Sequence, residues 1–468
     1  MSKEIKRIIT VLVGFCLLFI SLIVYMSYFQ IFKADAVKNN SYNKRLWINE
    51  ESILRGSILD RNGKTLVYSE KKDDLYTRHY EYGRLYSHVI GYSHRQYGKS
   101  GLELHYNNTL LNINDNSAIN EIKNIVLPTT EGNSIKLTID HELQEKARSL
   151  LDGKKGSIVA MNPETGEIYA MVSLPDFDVS NLNEEWKNIS EDITSPLLNR
   201  ATQGLYAPGS TLKVITTIAA IKSGKIDEKY ECTGSTVIDG YKFSDYNSKG
   251  HGIIDLKQAL AYSCNTYFVS KSMEIRKEEI GQVANNFMLN QRIPFELPTN
   301  ESQFPYKGNV KETDFAASFI GQGKVLVSPL NMALIASGIA NGGHIMEPTL
   351  IKEIISTKDK VIKTNEAKIL SQGTDGITAN EVKDMMVEVV KSGTGKSASI
   401  KNIQVAGKTG TAENSSGKSH AWFIGFAPAD NPKIAVAVLL EEDGTTGGSS
   451  AAPIARDIMI QGINNIND

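Results

Sequence analysis

The sequence predicts an α+β protein with one transmembrane helix, a β-rich module next to the membrane and a larger mixed domain. Three observations support this prediction. Residues 8–29 form an apolar run without a charged side chain. Strand-like runs flank two turn sequences, Asn62-Gly63 and the segment 162–166. After the second turn, strands, then helices, then strands follow one another, which is typical of helices packed on an antiparallel sheet.

The apolar run is long enough to cross a bilayer. At about 1.5 Å per residue, a helix over residues 8–29 spans the hydrocarbon core. Lys3, Lys6 and Arg7 precede it, so the positive-inside bias predicts a cytoplasmic tail of residues 1–7 and a single-pass protein of the cell (plasma) membrane whose remainder is extracytoplasmic. A cleaved signal peptide is the alternative. The length of the run and the lack of a small-x-small cleavage site favour an uncleaved anchor.

Composition excludes several classes of partner. The 468 residues include 51 Lys plus Arg and 53 Asp plus Glu, a net charge of -2, so no basic field indicates nucleic-acid binding.

The three cysteines are Cys16, Cys232 and Cys264, and none lies in a Cys/His pattern with metal-ligand spacing. The sequence therefore predicts neither a metal site nor a cofactor. Cys232 and Cys264 are the only pair outside the apolar run that could form a disulfide, and spacing alone does not decide whether they do.

Two domains are predicted after the anchor. Residues 30–152 form a membrane-proximal domain that begins as a polar stalk and ends where a strand gives way at Asp140 to an amphipathic helix. Residues 153–468 form the larger domain, which starts with the hairpin around 162–166. Its helices are expected at 210–223, 255–273, 329–341 and 379–392, and its last strands and helix at 420–428, 432–441 and 451–463.

The pattern Ser-x-x-Lys places a hydroxyl one helical turn from an amine, and a neutral lysine can accept the serine proton. The pattern begins at four serines: Ser41, Ser69, Ser210 and Ser415. The first lies in the stalk, the second in a charged turn and the last in a flexible loop, so none of these three is expected to hold a rigid geometry. Ser210 instead opens an apolar run after an Ala-Pro-Gly turn, which predicts a place in the first turn of a buried helix. A plain helix cap with Lys213 exposed is the alternative.

A second motif, Ser-x-Asn, follows at Ser263 and Asn265. It comes after the helical stretch LKQALAY, where a chain turn would aim a hydroxyl and an amide into a cleft. Polar residues at a helix end also serve as caps, which is the alternative. Another Ser-x-Asn, at Ser41 and Asn43, lies in the stalk beside the membrane.

A third motif is the strand-like Lys408-Thr409-Gly410-Thr411. A cationic strand with hydroxyl groups can hold a substrate carboxylate, and a glycine lets another backbone approach closely. A rival, residues 391–394, ends a predicted helix with Gly393 as its C-cap and is interpreted as structural. The adjoining GTGKS lacks the first glycine of a phosphate loop, because position 390 is Val, which excludes nucleotide binding.

The order SxxK, SxN, KTG, together with RGSILDRNG, GKSGLE, MNPETGEIYAM, APGSTLKVIT and AGKTGTAE, resembles the class B penicillin-binding proteins, the monofunctional cell-wall transpeptidases. The resemblance covers nearly the whole chain after the anchor. It implies a penicillin-binding/serine β-lactamase-like transpeptidase fold for residues 153–468, and a pedestal or dimerisation-type domain before it. It also implies a peptidoglycan D,D-transpeptidase that acts on stem peptides ending in D-Ala-D-Ala and is acylated by β-lactams.

The same resemblance implies residue roles and a partner. A polytopic peptidoglycan glycosyltransferase would bind the anchor and the membrane-proximal domain. The x of SxN is Cys264 here, a modest departure from the family pattern. The implied catalytic groups are Ser210, Lys213, Ser263 and Lys408, and the implied substrate-binding groups are Asn265, Thr409, Gly410 and Thr411.

Two other functions stay open at this point. A carboxypeptidase or a class D-like β-lactamase would use the same serine and deliver water, but a secreted lactamase needs no large membrane-proximal domain. A β-lactam sensor or an inactive scaffold would need more transmembrane segments, a cytoplasmic effector domain or the loss of a catalytic residue. None of the motif residues is missing, which favours the transpeptidase.

Overall fold

The protein begins with a long apolar helix. In a computed structural model, described for residues 2–33, 50–72, 75–113, 130–226 and 229–465, this helix is α1 (Lys3–Phe32). Its most apolar window has a mean hydropathy of 2.8 and none of it is buried by the rest of the chain. By length and composition α1 can cross a membrane, and it contains the predicted span 8–29.

A β-rich module follows. Its elements are β1 (Ile58–Leu59), β2 (Thr65–Lys72), β3 (Leu75–Tyr80), β4 (Ser93–His94), β5 (Gly98–Lys99), α2 (Gly101–His105), α3 (Asn107–Leu110) and β6 (Ser134–Leu137). The hairpin predicted at Asn62-Gly63 is confirmed: β1 pairs antiparallel with β2, and Gly63 has a φ of +90°. Asp60 shapes this turn, because its Oδ1 accepts hydrogen bonds from the amides of Asn62 and Lys64.

The main sheet of this module includes two strands from far along the chain. These are β14 (Ile351–Ile355) and β15 (Val361–Thr364), which give the strand order β15-β14-β6-β1-β2-β3. Among these described strands, only β1 and β6 run parallel. The β-rich module is therefore completed by the second half of the chain.

A buried ion cluster ties the start of the module to its later elements. Glu103, on α2, is fully buried and accepts hydrogen bonds from Arg55 Nε at 2.6 Å and from Arg78 Nε at 2.8 Å. The Arg78 guanidinium also donates to the Gly56 carbonyl at 2.8 Å. Burial acts to raise the pKa of Glu103, but the two guanidinium groups overcome it and hold that pKa below its usual value.

The larger domain is built on a five-stranded antiparallel sheet. Its strands are β7 (Gly156–Met161), β8 (Ile168–Leu174), β17 (Ala406–Ala412), β18 (His420–Ala427) and β19 (Ile434–Leu440). Their order is β17-β18-β19-β7-β8, which confirms the predicted sheet and places β17 at an edge. Every residue of β7, β8, β18 and β19 is buried, because helices cover both faces.

Successive side chains on each strand point to opposite faces of the sheet, and each face contributes to one of two hydrophobic cores. On β19, Ala437 and Leu439 belong to the larger core and Val436 and Val438 to the other. The larger core is covered by α11 (Pro329–Ala340). The other is covered by α4 (His141–Leu150) and α13 (Ala451–Asn465). The predicted change from strand to helix at Asp140 is confirmed, and Asp140 caps α4 by accepting a hydrogen bond from Leu143 N.

Most of the remaining elements pack around the larger core, whereas the helix Leu182–Glu191 packs in a small separate cluster with Tyr92 and Phe177. The helices are α5 (Leu182–Glu191), α6 (Lys213–Ser223), α7 (Leu256–Ala261), α8 (Asn265–Lys271), α9 (Lys277–Asn286), α10 (Glu312–Ser318) and α12 (Gly376–Lys391). The strands are β9 (Tyr230–Cys232), β10 (Ser235–Ile238), β11 (Tyr241–Ser244), β12 (Gly252–Ile254), β13 (His344–Met346) and β16 (Ile369–Gln372). Single 3₁₀ turns lie at Val179–Asn181, Gly209–Leu212, Tyr246–Ser248 and Lys396–Ala398.

One predicted helix is wrong. The segment 255–273 is not continuous, because α7 ends at Ala261 and α8 begins at Asn265. Ser263 lies between them with a φ of +59°, in the left-handed region that a serine rarely adopts. This break, rather than a helix surface, presents the Ser-x-Asn motif.

The ion cluster yields a stability prediction. Replacing Glu103→Gln leaves two guanidinium groups buried without their carboxylate, so we expect the free energy of unfolding to fall by about 3–5 kcal/mol. Urea unfolding of the detergent-solubilised chain measures the change. The exposed Glu184→Gln on α5 is the control and should change stability by less than about 0.5 kcal/mol. Equal midpoints for the two variants would contradict a stabilising role for the cluster.

Candidate active site

The Ser210 turn is held against strand β17 by close backbone packing. Ser210 lies in the 3₁₀ turn Gly209–Leu212, directly before the buried helix α6, which confirms the expected setting. Gly209 has a φ of +54°, and its amide donates to the Gly321 carbonyl at 2.9 Å. A Cβ on Gly209 would lie 2.6 Å from the Thr411 carbonyl oxygen. Ser210 is therefore fixed beside the strand that carries the third motif.

Lys213 is a fully buried amine one turn after Ser210. Its Nζ donates to the Ser263 carbonyl at 2.7 Å and to Asn265 Oδ1 at 2.7 Å, and lies 3.4 Å from Ser263 Oγ. Burial lowers the pKa of Lys213 to about 8, although Cys264 and Asp245 act in the opposite direction. The alternative of an exposed Lys213 is wrong. With this pKa about a tenth of the amine is neutral at pH 7 and about half at pH 8.

The turn between α7 and α8 brings the second motif to the same place. The left-handed backbone of Ser263 directs its carbonyl and hydroxyl towards the two buried lysines. Asn265 is the first residue of α8, and its Nδ2 donates to the Ser244 carbonyl at 2.8 Å, which orients its Oδ1 towards Lys213. A non-glycine residue in this strained conformation is a common feature of functional sites.

Strand β17 supplies the second buried amine. Lys408 is fully buried, and its Nζ donates to Ser263 Oγ at 3.0 Å and to the Thr409 carbonyl at 2.9 Å. Burial and the neighbouring Lys213 together hold the pKa of Lys408 well below its usual value. Ser263 Oγ thus lies between two buried amines, an arrangement suited to passing a proton.

Gly410 lets β17 approach the Ser210 turn. A Cβ at this position would lie 2.6 Å from the Pro208 carbonyl oxygen and 3.0 Å from Thr211 Cγ2. Thr409 and Thr411 flank Gly410 on the same strand; Thr411 is exposed, whereas Thr409 is 6% exposed. The close approach predicted from the glycine is confirmed, and it places the third motif beside the first.

Two family models match the chain. The penicillin binding protein transpeptidase domain matches residues 156–460, and the penicillin binding protein A dimerisation domain matches residues 55–135. The chain belongs to the penicillin-binding protein transpeptidases. Its fold is the α+β fold of that family, with a β-rich dimerisation domain at its N-terminal side.

The chain is similar to named members of this family and to a solved structure. The peptidoglycan D,D-transpeptidase PbpA of Mycolicibacterium smegmatis is 32% identical over 97% of this chain and 98% of that protein. The peptidoglycan D,D-transpeptidase MrdA of Acinetobacter baumannii is 31% identical over 80% of this chain and 64% of that protein, so this chain spans less than two thirds of its length. The ceftriaxone acyl-enzyme complex of penicillin-binding protein A from M. tuberculosis superposes with a TM-score of 0.82 and 29% identity, covering 89% of this chain and 100% of that chain.

Within the described residues, two other Ser-x-x-Lys sequences lie away from the site. Ser69 and Lys72 lie on strand β2 rather than in a turn, and Ser69 Oγ accepts a hydrogen bond from Arg78. Ser415 and Lys418 lie in an exposed turn, as expected. Ser41, which begins both rival motifs in the stalk, lies outside the described residues.

Sequence reasoning missed one residue of this penicillin-binding protein site. Thr394, in the rival segment 391–394, has its Oγ1 2.7 Å from Thr409 Oγ1 and so contacts the third motif. The prediction that Gly393 is the C-cap is wrong, because α12 ends at Lys391 and Ser392 is its C-cap. A Cβ on Gly393 would instead lie 2.2 Å from the Ala261 carbonyl oxygen, so the glycine is required by contact with α7.

The two buried cysteines are free thiols. Cys232 and Cys264 have their Sγ atoms 3.5 Å apart, well beyond the length of about 2.05 Å that a disulfide requires. Asp245 and His251 complete a compact cluster with them. Spacing along the sequence did not predict this cluster, because its four members come from four different segments.

The packing at Gly410 yields a second prediction. Gly410→Ala would push β17 away from the Ser210 turn, and we expect a loss of about 1–3 kcal/mol of stability, seen as a lower thermal midpoint. Gly376→Ala is the matched control, since its Cβ would meet nothing closer than 3.7 Å. An unchanged midpoint for Gly410→Ala would show that the two segments are not in tight contact.

Proposed function

We propose that this chain is a serine-type peptidoglycan D,D-transpeptidase, which cross-links stem peptides through an acyl-enzyme on Ser210. The observation that carries the proposal is the buried amine of Lys213, one turn after Ser210. This amine donates hydrogen bonds to the Ser263 carbonyl and to Asn265 Oδ1. The named activity of the relatives PbpA and MrdA supports it. The β-lactam acyl-enzyme structures of penicillin-binding protein A support the serine chemistry.

In the proposed acylation, Ser210 Oγ attacks the carbonyl carbon of the penultimate D-Ala of a stem peptide ending in D-Ala-D-Ala. Neutral Lys213 accepts the hydroxyl proton as general base. The two N–H···O bonds that Lys213 donates to Ser263 and Asn265 leave the lone pair of a neutral amine available for this proton. The peptide C–N bond then breaks and the terminal D-Ala leaves as an amine.

The leaving amine needs a proton, and Ser263 is placed to deliver it. Its Oγ lies within 3.4 Å of Lys213 Nζ and 3.0 Å of Lys408 Nζ, so a proton taken by one amine can return through the hydroxyl. This proton path assigns Lys408 as a catalytic group together with Ser263. An amine from a second stem peptide then resolves the acyl-enzyme and forms the cross-link.

Substrate binding is assigned to the remaining motif residues. Thr409 and Thr411 hold the terminal carboxylate, Asn265 binds the donor peptide, and Gly410 keeps the strand close to Ser210. Strand β17 is the edge of its sheet, so its outward backbone groups can pair with an extended peptide. The amides of Ser210 and Thr411 form the oxyanion hole. Ser210 lies in the turn before α6, where amides have no acceptor within the helix, and Thr411 lies on the edge strand β17 beside it.

The apolar helix α1 supports a membrane anchor. In this proposal residues 1–7 are cytoplasmic and 8–29 cross the plasma membrane. Residues 30–152 form the membrane-proximal domain and 153–468 the extracytoplasmic transpeptidase domain, except that α4 packs on the transpeptidase sheet and β14 and β15 complete the membrane-proximal sheet. Lys3, Lys6 and Arg7 support that orientation. The exposed apolar surface of α1 also suits a polytopic peptidoglycan glycosyltransferase as a partner within the membrane.

The assignment of Ser210 predicts a covalent adduct. Incubating the detergent-solubilised chain with a fluorescent penicillin should give one lasting adduct per chain by intact-mass analysis, and Ser210→Ala should give none. Ser415→Ala, which removes a serine of an exposed Ser-x-x-Lys, is the control and should label like the wild type. No adduct on the wild type would exclude the enzymatic proposal, and rapid drug hydrolysis without an adduct would favour a β-lactamase.

The buried base predicts the pH dependence of acylation. Because Lys213 acts in its neutral form and has a pKa of about 8, the rate constant should rise about tenfold per pH unit below pH 8 and level off above it. Stopped-flow measurement with a chromogenic penicillin tests this. Lys213→Ala should lower the rate by about 10²–10⁴, while Lys222→Ala, an exposed lysine of the same helix, should not. A rate that is independent of pH between about 6 and 9 would rule out Lys213 as the base.

A further inference from the structure

One tryptophan of the five-stranded sheet contacts the backbone that leads to Ser210. Trp422 lies on β18 and is fully buried, and its indole Nε1 donates a hydrogen bond to the Ala207 carbonyl at 3.0 Å. Ala207 stands three residues before Ser210 in the sequence. The indole N–H therefore joins the sheet to the turn that carries the proposed nucleophile.

We propose that Trp422 is a positioning residue for acylation, which holds the Ala207 carbonyl and thereby the Ser210 hydroxyl in place beside Lys213. This role rests on the proposed transpeptidase function, since it concerns the same serine. Because its side chain is fully buried, Trp422 acts through the backbone of Ala207 and does not touch a substrate.

The strand register places Trp422 on the same side of the sheet as the Ser210 turn. Trp422 pairs with Gly410 of β17, and the side chains of paired residues in an antiparallel sheet share one face. A Cβ on Gly410 would lie 2.6 Å from the Pro208 carbonyl oxygen, so the turn lies on this face. Gly410 thus leaves room for the backbone of the turn, and the neighbouring indole supplies a hydrogen bond that fixes this backbone.

The link from Ala207 to Ser210 is short and stiff. The ring of Pro208 restricts its φ, which is -78°, and Thr211 Oγ1 donates to the Pro208 carbonyl at 2.8 Å. Gly209 has a φ of +54°, in a region that other residues rarely adopt. A rotation at Ala207 is therefore passed on to Ser210 rather than absorbed between them.

Tyr206 holds the other side of Ala207. Its amide donates to the Val327 carbonyl at 3.0 Å, and the Val327 amide donates to the Tyr206 carbonyl at 2.9 Å. The Tyr206 ring packs edge-on against Trp422, with the ring centroids 6.4 Å apart and an angle of 70° between the planes. Ala207 is thus held by a backbone pair on one side and by the indole N–H on the other.

A tryptophan that only fills the core would contribute through its volume. A buried indole N–H needs an acceptor, and a carbonyl elsewhere in the sheet would satisfy that need equally well. The acceptor of Trp422 instead belongs to the segment that leads to Ser210. Loss of this one hydrogen bond should therefore affect the reaction of Ser210 more than the folding of the sheet.

Site-specific replacement of Trp422 by benzothienylalanine tests the hydrogen bond, because a sulfur atom replaces the indole N–H while the shape of the ring is kept. We expect the rate constant of acylation by a chromogenic penicillin, measured by stopped flow on the detergent-solubilised chain, to fall about tenfold. The dissociation constant of the initial non-covalent complex should stay within about a factor of two. Trp422→Phe also removes the N–H and should lose at least as much.

Trp186 offers the matched control. It stacks on Tyr97 with the ring centroids 4.3 Å apart, in the separate cluster around α5. The same two replacements at Trp186 should leave the rate constant of acylation unchanged.

The pH profile separates a positioning role from a general loosening of the site. The hydrogen bonds from Lys213 Nζ to Ser263 and Asn265 do not involve Trp422. The plateau of the acylation rate should therefore fall, while its half-maximal pH stays near 8, the pKa of Lys213. A loosening that admitted water would raise that pKa and move the profile to higher pH.

Equal rate constants of acylation for the wild type and the benzothienylalanine variant would overturn the positioning role. A loss seen only in the dissociation constant, or one accompanied by a shift of the pH profile, would overturn it as well. A wild type that forms no adduct would overturn the proposed transpeptidase and this role with it, whereas equal rates in an active wild type and its variants would overturn this role alone.

Discussion

The active site depends on the burial of two lysine amines around one hydroxyl. Lys213 and Lys408 are both fully buried, and both lie within hydrogen-bonding reach of Ser263 Oγ. Two ammonium ions about 6 Å apart repel by about 3 kcal/mol at an effective dielectric constant of about 20, and each also loses its hydration. The fold therefore favours a state in which at least one amine is neutral. The chemistry follows from this constraint, because only a neutral amine can take a proton.

Three segments that are distant in the sequence must meet to bury the two lysine amines, and glycines allow them to come close enough. The Ser210 turn, the turn at Ser263 and strand β17 meet because Gly209 and Gly410 allow backbones closer than any side chain would. The five-stranded sheet provides the rigid base, since helices bury it on both faces. The close backbone contacts at Gly209 and Gly410 therefore fix the positions of the three motifs. A reaction between a nucleophile and a base needs such fixed positions.

Local sequence patterns predicted the parts of the molecule that local interactions determine. The hairpins and the change from strand to helix at Asp140 could be predicted because turn residues and apolar periodicity act over a few positions. The break at Ser263 was not, since a serine with positive φ is imposed by its tertiary contacts. The pairing of Thr394 with Thr409 and the cluster around Cys264 were also missed. Both join segments that only the folded chain brings together.

The membership of β14 in the N-terminal sheet has a consequence for how the chain is made. Strand β6 pairs on one side with β1, which is synthesised before it, and on the other with β14, whose residues 351–355 emerge much later. Until then β6 presents an unpaired edge with free backbone groups, the kind of surface that recruits other strands. The β-rich module, although most of it is synthesised early, is therefore among the last parts of the chain to be finished, and its β6 edge is open to pairing with other strands until residues 351–355 have been made.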